Sequence, residues 1–409
     1  MSAPHRPDDD AAVLVVNAGS STLKFALYPR SGATPAEFAT HPARAAGQLD
    51  GLQPGGHLRL CPAGQAPIEL AAPDDEDARF DVALQALQQH VAAQAPDTRV
   101  VAVAHRIVHG GGVFRDPVVL DDAALATLAR FNALAPLHQP HNLAGVAALR
   151  RVCPDLPQVG CFDTAFHATI GEAERRFALP ESLAEQGVRR YGFHGLSYAY
   201  VTAQLLGRSR RAHGRLLLAH LGNGASLCAV QAGRSVATTM GFSALDGLMM
   251  GTRSGALDAG VLLHLLRQGW SAGEIEKLLY RQSGLLGVSG LSADMRTLRA
   301  SSAPAAARAI ALFTHRVVRE SGALVACLGG VDAIGFTGGI GEHDAALRTE
   351  VGEALAFLGV RLDAARNRAA DGRAATAIHA PDSSVEVWVV PTDEGRVAAR
   401  DAVLLLGGG

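Results

Sequence analysis

A chain of 409 residues is longer than one ordinary core requires and points to two domains, and 48% apolar against 19% charged residues excludes a disordered chain. A net charge of −2 provides no basic face for nucleic acid, and no uninterrupted apolar run reaches membrane-spanning length. The opening Met1 to Asp10 is polar and acidic, without the charged-then-apolar order of a secretion signal, and reads as a loose tail.

Val13 to Val16 reads as a strand, Asn17-Ala18-Gly19-Ser20-Ser21 as a turn, and Lys24 to Tyr28 as the returning strand of a hairpin. Pro, Gly and Ala are dense from Ser31 to Pro73, which predicts surface loops and short edge strands. Ala78 to Ala93 has helical periodicity. Val100 to Ala104 is a buried strand running into His105-Arg106-Ile107-Val108-His109 and a Gly triplet. Helices follow at Asp121 to Leu134, capped by Asp121 or Asp122, and at His141 to Arg151, and a short strand from Gln158 to Phe162 ends at Asp163.

The second half opens near Thr164. Arg215 to Leu221 is a strand, Gly222-Asn223-Gly224-Ala225-Ser226 turns it, and Leu227 to Gln231 returns. This repeats the design of the first hairpin, and two readings stay open: duplicated α/β halves with a cleft between them, or two unrelated hairpins. Helices are expected at Ala256 to Gln268, Ala272 to Gln282 and Ala303 to Leu328. The apolar run Val331 to Thr337, the glycine loop Gly338-Gly339-Ile340-Gly341 and the helical stretch Ala345 to Leu358 form a strand–loop–helix arrangement that presents backbone amides to a phosphate. Val385 to Val390 is a strand leading through Pro391-Thr392-Asp393-Glu394 into a final helix reaching about Leu405.

Five cysteines, at 61, 153, 161, 228 and 327, are scattered and lack CxxC spacing. They argue against structural zinc and a disulfide framework, and predict buried free thiols in the reducing cytoplasm.

Three glycine turns beside a set of Arg, His, Asp and Glu describe the parts needed to move a phosphoryl group: cradled phosphates, a metal, and cations aimed at developing charge. No Walker spacing is present, so Gly19, Ser20, Gly222, Asn223, Gly224 and Ser226 must supply the cradle. Arg106 and Arg253 are glycine-flanked and suited to forking around a phosphate or carboxylate, although either could equally be solvated surface charge. His138 and His194 lie among apolar residues and glycines without metal-ligand spacing, as core or capping histidines also do. Asp163 and Glu394 close strands, either as simple caps or as oxygen ligands for magnesium.

Val15-Val16-Asn17-Ala18-Gly19-Ser20-Ser21-Thr22-Leu23-Lys24-Phe25 resembles the opening signature of acetate kinases, and His220-Leu221-Gly222-Asn223-Gly224-Ala225-Ser226 their second signature. Further segments match in order, so that the resemblance covers roughly residues 13 to 403. It implies an α/β fold of two duplicated, ribonuclease-H-like (actin-like) domains, with the active site in the cleft between them. The boundaries expected are 1–163 with the C-terminal helix 396–409 for one domain, and 164–395 for a nucleotide-binding domain. It implies reversible phosphorylation of acetate to acetyl phosphate, with ATP and ADP as partners, magnesium (or manganese) as cofactor, and a homodimer. Carried over, Asn17 and Glu394 are on the metal side; Arg106 and Arg253 clamp the carboxylate and the transferring phosphoryl; His194 stabilises the transition state; and Asp163 is the catalytic aspartate near the acyl group. His138 and His220 are further active-site histidines. Lys24, His220, Asn223, Gly224, Asp294, Met295, Arg296, Gly339 and Ile340 are expected on the nucleotide. Val108, Leu137, Phe193 and Ala244 are expected around the acyl tail.

Five positions depart from that pattern. Ala244 replaces a common proline, Ala237 a common aspartate, Leu196 and Tyr198 a common Thr and His, and Gly395 a second glutamate. The Ala244 change leaves room for an extra methylene, so a propionate or butyrate kinase is the near alternative. An actin-type ATP-dependent regulatory module is the distant one, against which the second-substrate residues Arg106, Arg253 and His194 argue.

Overall fold

Buried residues run without a break through Ala11 to Val16, as expected of a strand covered on both faces rather than one. The computed structural model describes residues 10–30, 42–136 and 138–407; Leu137 lies outside them, as does the Ser31 to His41 part of the expected surface loops. The chain divides into two compact units, one comprising Met1–Ala165 with Asp393–Gly409 and the other Phe166–Thr392.

The first unit is built on an eight-stranded sheet: β1 Ala11–Ala18, β2 Thr22–Pro29, β3 Ala45–Asp50, β4 Arg59–Pro62, β5 Ile68–Glu69, β6 Arg99–Ile107, β7 Val118–Val119 and β8 Gln158–Phe162. Their order is β5-β4-β3-β2-β1-β6-β8-β7. β1, β2 and β3 pair antiparallel, whereas β6 joins β1 and β8 joins β6 in parallel. Ala12, Leu14, Val16 and Ala18 share one face with Ala83, Leu84, Leu87 and Val91 of the helix Glu76–Gln94, the period of two that a pleated strand imposes. The helix Glu394–Gly407 also packs on β1 and β6.

The second unit has six strands: β9 Arg215–Leu221, β10 Ala225–Gln231, β11 Arg234–Thr238, β12 Ala333–Thr337, β13 Thr376–Ala377 and β14 Glu386–Val389. Their order is β11-β10-β9-β12-β14-β13. β9, β10 and β11 are antiparallel, and β12 and β14 add in parallel. Tyr198, Val201 and Leu205 of the helix Gly195–Leu206 pack with Leu216, Leu218, Cys228 and Val230. The helix Pro304–Leu328 packs against β10 and β11.

In each unit an antiparallel hairpin and its third strand occupy one side of the leading strand, and two parallel strands follow on the other. This common order decides for duplication over two unrelated hairpins. Three local expectations change. The region before Pro73 is not only surface: β3 to β5 extend the sheet and Leu49, Leu52, Leu58 and Leu60 are buried. The helix expected to reach Leu134 is regular only from Asp122 to Ala129, with Asp121 as N-cap accepting from the amide of Ala124. The glycine loop after β12 is itself a short helix, Gly338–His343.

Candidate active site

In the first unit, β6 carries Arg106 near its end and β8 delivers Asp163 just beyond its own. Parallel pairing sets Arg106 opposite Cys161, close enough for a forked pair. Arg106 Nε donates to one Asp163 oxygen at 3.0 Å and Nη2 to the other at 2.7 Å, while Nη1 lies 3.3 Å from a Glu394 oxygen. Burial opposes the charge on Arg106, but Asp163 and Glu394 outweigh it and raise the guanidinium pKa further. Arg106 and Glu394 line a pocket of about 190 Å³ with Asn17, Lys24 and Tyr28. Asn17 and Lys24 are cross-strand partners on the β1–β2 hairpin. Val108 is half-buried and its amide donates to Asn142 Oδ1 at 3.0 Å. His138 is the N-cap of the helix Gln139–Val152.

Asn17 and Glu394 offer an amide oxygen and a carboxylate beside one pocket. No cluster of three His, Cys, Asp or Glu suited to a metal occurs among the described residues. This sparse oxygen set fits a small hard cation that draws its remaining ligands from water and phosphate, and does not fit a fully caged metal.

In the second unit, two glycine turns meet. A Cβ on Gly222 would lie 3.8 Å from the amide nitrogen of Gly339. Asn223 accepts from the Gly251 amide through its backbone at 3.0 Å. A Cβ on Gly224 would lie 3.3 Å from Nε2 of His194 and 3.6 Å from Nη2 of Arg253, so the imidazole and the guanidinium converge over the β9–β10 turn. Arg253 donates from Nη1 to the carbonyl of Ala244 at 2.7 Å, and burial lowers its pKa. His194 stands just before the helix Gly195–Leu206 with φ +60°, a left-handed conformation uncommon for a side-chain-bearing residue. Its ring stacks on His220, centroids 4.2 Å apart and planes 18° apart. Phe193 is buried and Ala244 half-buried.

Gly338 has φ +75°, and a Cβ there would come within 2.8 Å of the Leu221 carbonyl oxygen, which restricts the position to glycine. Its amide is occupied by Glu342 Oε1 at 2.8 Å, an atom that also accepts from the amide of Thr392 at 3.1 Å. Nothing lies within 4 Å of a Cβ placed on Gly339, which leaves that backbone approachable. Asp294 caps the helix Met295–Arg299 and pairs with Arg296 at 2.7 Å; that pairing, with the amide of Thr297, lowers its pKa to about 2.

Sequence reasoning passed over Glu342 and Arg348. Arg348 is fully buried, donating to the carbonyls of Gly341 and Glu342 and to Asn367, and so braces the short helix Gly338–His343. Glu342 sits within the glycine segment itself, where an acid beside a phosphate loop could have been noticed. An arginine in an ordinary helical stretch gave no such signal.

The arrangement collects cations, imidazoles and bare backbone in a protein of matching ancestry. The acetokinase family model matches residues 12–400. The chain belongs to the acetokinase family. An acetate kinase from Rhodopseudomonas palustris is 50% identical, over 97% of this chain and 99% of its own. A propionate kinase from Edwardsiella piscicida is 40% identical, over 96% of each chain. The crystal structure of Porphyromonas gingivalis acetate kinase aligns with a TM-score of 0.86 and 36% identity, covering 97% of this chain and 100% of the other. The acetokinase fold is thus the duplicated actin-like fold that the two sheets display.

Proposed function

We propose that this acetokinase-family chain is a magnesium-dependent acetate kinase that interconverts acetate and ATP with acetyl phosphate and ADP. The observation that carries the reading is the convergence of His194 Nε2 and the Arg253 guanidinium over Gly224, two donors directed to one place in a glycine-lined turn.

Acetate is already ionised near neutral pH, so its oxygen needs no strong base. That oxygen forms a bond to the γ-phosphorus as the bond from phosphorus to the β–γ bridging oxygen breaks, and ADP departs with the electron pair. Arg253 and His194 neutralise and hydrogen-bond the equatorial oxygens. Arg106, oriented by Asp163, holds the acceptor carboxylate. The approachable backbone at Gly339 and the turn at Gly224 are assigned to the nucleotide phosphates, with Asn223, His220, Ile340, Asp294, Met295 and Arg296 around the nucleotide and Lys24 beside the phosphates. Asn17 and Glu394 would hold magnesium, which supplies charge neutralisation on the phosphates.

Trapping acyl phosphate with hydroxylamine in the presence of MgATP and acetate tests the activity. Acetohydroxamate is expected; ATP consumption without it would indicate a regulatory ATPase instead. Propionate is the second acceptor, favoured by Ala244 and by the likeness to a propionate kinase. One methylene is worth about 0.8 kcal/mol, so kcat/KM for propionate is expected within about tenfold of acetate, with butyrate poorer.

The homodimer is assigned to the helix Ala259–Arg267, which has no buried residue, with Leu257, Leu263, Leu266 and Trp270 exposed around it. Light scattering of the purified protein checks it. Cytoplasmic residence is supported by five free cysteines.

A further inference from the structure

The imidazole at His194 is the end of a chain of hydroxyls. His194 Nδ1 lies 2.8 Å from Ser226 Oγ, and Ser226 Oγ lies 2.5 Å from the hydroxyl of Tyr198. Tyr198 is fully buried, on the helix that His194 begins. Burial holds its phenol well above the ordinary range, so the hydroxyl keeps its proton. Its other partner, the backbone at His220, favours the phenolate and is therefore an N–H donor. The phenol proton is left for Ser226, whose own proton then points to His194 Nδ1.

The neighbouring histidine repeats the device. Thr392 donates to Ser197 Oγ at 2.8 Å, and Ser197 Oγ lies 2.8 Å from His220 Nδ1. With its single proton no longer needed toward Thr392, Ser197 donates to the ring. In both histidines Nδ1 is the acceptor, which places the ring proton on Nε2. For His194 that is the nitrogen near Gly224 and the Arg253 guanidinium.

We infer that Tyr198, acting through Ser226, is a positioning residue that fixes His194 in the Nε2–H tautomer, so that a neutral imidazole donates a hydrogen bond at the phosphoryl-transfer position. This rests on the acetate kinase reading for its catalytic consequence but not for the tautomer itself.

The test combines Tyr198→Phe with ¹⁵N NMR of protein labelled at histidine nitrogens. In the unaltered protein the His194 signals should show a protonated Nε2 and an unprotonated Nδ1. In Tyr198→Phe, Ser226 loses the donor that commits its own proton to the ring and is free to accept from Nδ1 as well, so the Nδ1–H population of His194 should rise measurably. The kcat should fall about 10²-fold, as for loss of one transition-state donor, with KM for ATP and acetate nearly unchanged. Tyr198→His should restore most of kcat. A protonated Nδ1 in the unaltered protein overturns the inference without any variant, as does an unchanged tautomer in Tyr198→Phe. Failure of the hydroxamate assay would instead overturn the reaction while leaving the tautomer result standing.

Discussion

Arg253 is held before any ligand arrives. Its bond to the Ala244 carbonyl fixes the fork, and a preset, buried cation is worth more to developing phosphoryl charge than a mobile one. Arg253→Ala is expected to lower kcat by roughly 10³-fold or more, with circular dichroism unchanged; near-native kcat in the folded variant would remove it from the transition state. Glu394 is a different case, because it faces both the pocket with Asn17 and the Arg106 guanidinium. In Glu394→Ala the magnesium concentration for half-maximal rate should rise more than KM for acetate; an effect confined to acetate KM assigns the residue to the acceptor. At this scale the sequence singled out Arg106, Asp163 and Glu394 separately, and the fold sets them side by side. It could not reveal that they meet one another in an ion pair, because residue 394 lies far along the chain from both and the packing of the helix Glu394–Gly407 on β1 and β6 brings it back.

The elements best legible in the sequence are those whose patterns are self-contained. The strands Gln158–Phe162 and Arg215–Leu221 are fully buried or nearly so along their length and read directly as apolar runs. β3 to β5 were obscured because Gly47, Pro62 and neighbouring polar residues carry weak strand signals; their pairing comes from the adjoining strands, Leu49 opposite Leu23 and Leu60 opposite Leu49. The glycine segment after β12 read as a loop because Gly-Gly rarely starts a helix. Glu342 and Arg348 tie it down at either end. A substitution at its first residue tests this element: Gly338→Ala combines a left-handed φ with contact to the Leu221 carbonyl. KM for ATP should rise about tenfold, corresponding to 1–2 kcal/mol of strain, while KM for acetate changes little. Equal changes in both constants would show a general loss of structure rather than a nucleotide-loop effect.

Across the whole molecule, acid stability should follow two buried histidines, one in each unit. Burial lowers His105 to about 4 against its bond to Gln158, and lowers His167 to about 4 against its backbone bond to Phe193. An unfolded histidine takes its proton near pH 6.5, so the unfolded chain binds more protons between about 6.5 and 4. The stability these groups provide is full above pH 6.5, falls as pH drops toward 4, and levels off below. Each contributes a slope of at most about 1.4 kcal/mol per pH unit. His105→Gln should flatten the decline of Tm between pH 6.5 and 5; an unchanged slope would assign the acid sensitivity elsewhere. The thiols depart from expectation in part, since Cys161 and Cys228 are buried with raised pKa values but Cys61 and Cys153 are half-buried and Cys327 is exposed. Among the described residues no helix is long and apolar enough to cross a membrane.

The ion triad around Arg106 has a kinetic meaning. Asp163 and Glu394 already satisfy the fork that the acceptor is proposed to use. On that proposal an incoming acetate would exchange with a resident carboxylate instead of filling a bare cation. Such like-for-like replacement would yield little net Coulombic gain, and would leave the small acid loosely held and quickly released. For a catalyst working in both directions, loose grip at this end prevents either the acid or its phosphorylated form from stalling the cycle.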